Sequence, residues 1–69
     1  MNVYVFKTSI QAEHIHRVNS ILRSVIPTSV WCYDLEDCDR ILRIESHKDI
    51  VKPVCFHLKI EGFYCEELE

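Results

Sequence analysis

The chain has 69 residues, 48% of them hydrophobic and 28% charged, with one Gly, two Pro and a net charge of −3. That is the length of one domain, which buries about 60% of its unfolded surface, and the composition is that of a globular chain rather than a disordered one. Its apolar runs are only a few residues long, against the roughly 20 that cross a bilayer, and its eight basic residues are scattered, which argues against a phosphate backbone as partner.

Residues 2–7 are rich in β-branched and aromatic side chains, and Val3 and Val5 alternate with Tyr4 and Phe6. Both sets are apolar, the pattern of an inner strand with little water on either face. Thr8 and Gln11 have the spacing of a capping box. The helix that follows places Ile15, Val18, Leu22, Val25 and Ile26 within an arc of about 100°, with Arg17, Arg23 and Ser24 outside it. Pro27 ends this helix, because the residue before a proline avoids the helical region.

Residues 30–35 read as a second strand, with Trp31, Tyr33 and Leu35 on one face and Val30, Cys32 and Asp34 on the other. A polar turn at 36–39 returns the chain as a third strand over 40–45, and so short a link implies an antiparallel hairpin. Leu42 and Ile44 are expected to face the core, with Ile41 and Arg43 outward. Ser46 and Asp49 offer caps to a second helix with Ile50, Val51, Val54, Cys55 and Leu58 along one side. Pro53 belongs in its first turn, where a missing donor costs little. Gly62 stands where a helix end needs a left-handed residue, and residues 63–68 complete a fourth strand.

The order is β-α-β-β-α-β. Right-handed crossovers then leave strands one and two parallel with strand three between them. The expected fold is α+β, a ferredoxin-like sandwich with a four-stranded antiparallel sheet and two helices on one face, over residues 1–69 as one domain. The acidic runs Glu36-Asp37-Asp39 and Glu66-Glu67-Glu69 read as a solvated turn and a solvated terminus. One end of this fold gathers the corner at 8–11, the turn at 36–39 and the bend at Gly62.

Two segments, Trp31-Cys32-Tyr33-Asp34-Leu35-Glu36 and Ile60-Glu61-Gly62-Phe63, are similar to the second strand and to the closing helix and glycine-aromatic bend of the heavy-metal-associated domain. That family supplies the metal-binding module of copper chaperones and metal-transporting P-type ATPases, and the chain resembles it over nearly its whole length. The resemblance implies the ferredoxin-like fold and a metal site at the first corner, where the family carries Gly-Met-x-Cys-x-x-Cys. Here the segment is Thr8-Ser9-Ile10-Gln11-Ala12-Glu13-His14, so Gln11 and His14 hold the two cysteine positions. Cu(I) needs two soft thiolates, and zinc takes anionic ones readily. A neutral amide and one imidazole replace neither.

The candidate site residues follow. His14 and His16 are two apart, about 200° around a helix, and cannot chelate together; His14 lies near the corner and His16 points to solvent. The alternative functional reading is a copper or zinc carrier using His14 and a thiol; Cys38 is in the turn at the same end as His14, but strand three separates strands one and two, so a His14–Cys38 bridge requires the hairpin to curl inward. His47 and His57 belong to a solvated helix face. No spacing singles out a Cys-His dyad or a carboxylate pair, so no enzyme activity is expected. Cys32, Cys38, Cys55 and Cys65 include no Cys-x-x-Cys, and the start MNVYVFK has no secretory pattern. Free thiols in a cytoplasmic setting are therefore expected, with Cys55 and Cys65 as small core hydrophobes.

If Tyr4, Phe6, Trp31, Tyr33, Leu42 and Ile44 face the helices, the open side of the sheet carries Val3, Val5, Val30, Cys32, Ile41 and Tyr64. An apolar patch there marks an interface, whereas a one-residue slip in a strand would exchange the two faces. The primary reading is a module without cofactor that pairs with itself or another protein through its sheet face, and not with nucleic acid or membrane.

Overall fold

The central strands are set by their sequence. In the computed structural model, which describes residues 2–68, β1 (Asn2–Thr8) and β3 (Ile41–Ser46) lie inside a four-stranded sheet of order β2-β3-β1-β4. The edges are β2 (Val30–Asp34) and β4 (Cys65–Leu68), and every neighbouring pair is antiparallel. Two helices, α1 (Ile15–Val25) and α2 (Val51–Ile60), complete the βαββαβ order of a ferredoxin-like α+β fold. Glu69, the last of the acidic run read as a solvated terminus, lies outside the described residues.

The face assignment is the one the alternation implies, with no slip. Phe6, Leu42 and Ile44 are fully buried, and Tyr4, Trp31 and Tyr33 pack partly buried against the same core. Opposite them sit Val18 and Leu22 of α1 and Val54 and Leu58 of α2, also fully buried. Burying one such aliphatic or aromatic side chain contributes about 1.5–3 kcal/mol. That is a large share of the roughly 3–10 kcal/mol a domain of this length commands.

The helix ends show how local chemistry frames the core. Ile26, before Pro27, leaves the helical region at φ −133°, ψ 61°. At the start of α2 the Asp49 carboxylate accepts the Val51 N–H at 3.0 Å, Ser46 Oγ accepts the Lys48 N–H at 3.2 Å, and Pro53 falls in the first turn. At its end, Gly62 adopts φ 92°. The Phe63 N–H bonds the Leu58 carbonyl at 2.8 Å and the Gly62 N–H bonds Lys59 at 3.0 Å, the two bonds of a Schellman turn. Nothing lies within 4 Å of where a Gly62 Cβ would stand, so the backbone angle alone demands glycine.

Three expectations are corrected. Thr8 does not cap α1: it closes β1, and its buried hydroxyl donates to the Arg40 carbonyl and accepts the Ile10 N–H. A 3₁₀ turn over Ala12–His14 precedes α1, so the helix begins a turn later than the capping pattern implies. β3 and β4 run over Ile41–Ser46 and Cys65–Leu68, shifted from 40–45 and shortened from 63–68. Arg40 stands outside β3 at φ 49°, a left-handed position held by its N–H bond to the Asp37 carbonyl and by the Thr8 hydroxyl.

Candidate functional site

Two regions carry the residues singled out by the sequence, the corner after β1 and the open face of the sheet. The corner is tied together by its backbone. The Thr8 N–H reaches the Asp39 carbonyl at 3.0 Å, the Ser9 N–H reaches the Tyr64 carbonyl at 3.3 Å, and Ser9 Oγ accepts the Tyr64 N–H at 2.9 Å. The corner, the β2–β3 turn and the bend after Gly62 do therefore meet at one end. Ile10, alone between polar residues in sequence, is fully buried there.

His14 is half-buried and packs edge-on against Phe63, ring centroids 5.1 Å apart. Arg17 covers the same Phe63 ring at 5.3 Å and bonds both the carbonyl and the carboxylate of Glu61. His14 Nδ1 accepts the Gln11 N–H at 3.1 Å, while the His14 N–H returns to the Gln11 carbonyl at 2.8 Å. Nδ1 of the imidazole is thereby engaged by a backbone donor. Gln11 is exposed. This pair builds the entry to α1.

Among the described residues, one group of three ligating side chains converges within 4.8 Å: Asp37, Cys38 and Asp39. His14 is not in it. Asp37 Oδ1 already accepts the Asp39 N–H at 2.8 Å, and Asp39 pairs with Lys7 at 3.5 Å, so these carboxylates are engaged in building the turn.

The open face is laid out by strand register in three rows. The first holds Val30, Glu45 and Val3; the second Cys32, Arg43, Val5 and Leu68; the third Asp34, Ile41, Lys7 and Glu66. Val3 and Val30 are 56% and 64% exposed, Tyr64 is 47% exposed, Cys32 is exposed and Val5 half-buried. Ile41 does point to this side, but it is only 6% exposed. Lys7 and Asp34 flank it in register and the Lys7 side chain extends to Asp39, so Ile41 does not join the accessible patch. Nor is the patch continuously apolar, because exposed Glu45 and Arg43 stand at its centre on β3. Among the described residues neither of the two forms an ion pair.

No family model, curated protein or solved structure matches the chain. Its own geometry therefore carries the functional reading. Elsewhere, a cleft of about 310 Å³ opens between the Pro27 corner and the start of α2, lined by Val25, Ile26, Ser46 and Lys48 among others. Its Ser46 and Asp49 oxygens already serve the turn that starts α2.

Arg43 points outward as the β3 alternation implies, and Glu45 continues that alternation on the same face. Asn19 falls one turn after Ile15, at the edge of the apolar arc, and its Oδ1 accepts both Trp31 Nε1–H at 3.0 Å and Tyr33 O–H at 2.8 Å. Burial raises the Tyr33 phenol from its ordinary 10 to about 12. The contact between Cys55 and Cys65 had no local sequence signal.

Proposed function

We propose that this chain is a non-enzymatic self-association module, pairing with a second copy of itself through the open face of its ferredoxin-like sheet. The observation that carries the reading is the self-complementary centre of that face. Arg43 and Glu45 are consecutive outward residues of one strand, flanked by Val5 and Cys32 in one row and by Val3 and Val30 in the other. A two-fold axis between the rows sets Arg43 of one copy opposite Glu45 of the other, twice, with the valines closing around both pairs. Isologous dimers require such a pattern, in which one surface complements itself.

Two considerations support this reading. A standard interface covers about 800 Å² per partner, roughly a sixth of the chain's 4561 Å² surface, which one face of a two-layer fold supplies. The His14–Gln11 corner favours no competing metal function, since its imidazole Nδ1 is already occupied by a backbone donor. Val5→Glu tests the proposal by placing a carboxylate in the Arg43 row next to the apolar contact. Sedimentation velocity at micromolar concentration is expected to show a concentration-dependent dimer for the wild type and a monomer for the variant. A wild-type monomer, or a dimer indifferent to the substitution, overturns it.

A further inference from the structure

We propose that Cys55 and Cys65 form a modification site: on meeting a small-molecule disulfide of the oxidised-glutathione class, they close into an intrachain disulfide that pins β4 to α2. Their sulfurs already lie 3.3 Å apart. A disulfide bond is about 2.05 Å long, so the two atoms need approach by only roughly 1.3 Å. Among the described residues this is the cysteine pair in sulfur–sulfur contact, while Cys32 and Cys38 are exposed without one.

The surrounding structure presents the two sulfurs to one another. Cys55 lies mid-way along α2, and Cys65 opens β4, ten residues later, with Thr8 opposite it in the sheet register. Between them the Schellman turn fixes the chain through Phe63 to Leu58 and Gly62 to Lys59. Neither thiol must search for its partner, so the entropy of closing that loop is already met by folding.

Unequal burial orders the steps. Cys55 is half-buried and reachable from solvent, whereas Cys65 is 2% exposed. As a thiolate, Cys55 attacks one sulfur of the incoming disulfide, forming a mixed disulfide and releasing one equivalent of small thiol. Cys65 then loses its proton to solvent and attacks Cys55 Sγ, releasing the second equivalent. The balance is two protein thiols and one small disulfide giving one protein disulfide and two small thiols. Burial, and next the hydrogen bond with Cys55, hold the Cys65 thiol well above the usual thiol range. It therefore resolves the mixed disulfide and does not initiate it.

The test treats the full folded chain with oxidised glutathione, blocks remaining thiols with an alkylating reagent and maps peptides by mass without reduction. The expected product links the Cys55 and Cys65 peptides with the loss of two hydrogens, carries no glutathione on either of those residues, and melts at a higher temperature than the reduced protein. A Cys32→Ser/Cys38→Ser variant, altered only at exposed positions, is expected to give the same product. Cys55→Ser is expected to lose it. The double variant keeps the test decisive whether or not Cys55→Ser folds, because its two remaining thiols are the pair in question. Recovery of Cys55 and Cys65 as alkylated thiols, or of a lasting glutathione adduct on Cys55, overturns the proposal.

Discussion

Asn19→Ala removes one oxygen that serves two donors on the exposed edge strand. Asn19 Oδ1 accepts Trp31 Nε1–H at 3.0 Å and Tyr33 O–H at 2.8 Å, so a single α1 side chain clips β2 to the helix layer. Each such bond contributes about 0.5–1.5 kcal/mol net, and a donor left buried without a partner costs about 1–3 kcal/mol. Trp31 and Tyr33 are only partly buried, and water reaches the abandoned donors in part, which sets the expected loss at about 1–2 kcal/mol. For a domain of this size each kcal/mol lowers the melting temperature by about 4–8 °C. Urea denaturation followed by the fluorescence of Trp31, the chain's one tryptophan, reads the loss directly. A double-mutant cycle with Tyr33→Phe is expected to show a coupling of about 0.5–1.5 kcal/mol. A loss below about 0.3 kcal/mol, or strict additivity in the cycle, refutes the shared acceptor.

Further outcomes follow from the same geometry. The folded Tyr33 phenol titrates at about 12 against an ordinary 10, so on raising the pH the unfolded chain loses that proton first. The stability linked to it is whole below pH 10 and is lost as the pH rises through 12; Tyr33→Phe is expected to flatten that alkaline limb in denaturation curves. Gly62→Ala puts a Cβ at φ 92° and is expected to cost about 1–2 kcal/mol, read as a lower denaturant midpoint with an unchanged slope. Phe6→Ala empties a fully buried site between sheet and helices and is expected to cost about 3–5 kcal/mol, visible as partial unfolding by circular dichroism at room temperature.

Much of this fold is legible in the residues because its strands differ from its helices in period. Trp31 and Tyr33 against Val30 and Cys32 fix the phase of β2, and Leu42 and Ile44 fix that of β3. Gly62 could be placed because a single glycine after an apolar helical stripe has one common use. Long-range competition accounts for the errors. The Thr8 hydroxyl has the local spacing of a cap but bonds Arg40, 32 residues away, and no local rule weighs a partner that distant. Ile10 has no periodic neighbours, so its burial follows only from the three loops that meet around it. On the open face the alternation that sets out the apolar residues also places charges between them. Arg43 and Glu45 turn a supposed apolar patch into an alternating one, and Ile41 is lost to it because of the company of Lys7 and Asp34.

The central claim is that two copies meet across Arg43 and Glu45, and a charge-exchange series measured by sedimentation velocity tests it most directly. Arg43→Glu and Glu45→Arg each place like charges opposite one another and are expected to give monomers. The double exchange restores opposite charges across the same two-fold axis and is expected to restore the dimer. Dimerisation unchanged by either single exchange, or a double exchange as monomeric as the singles, contradicts the account.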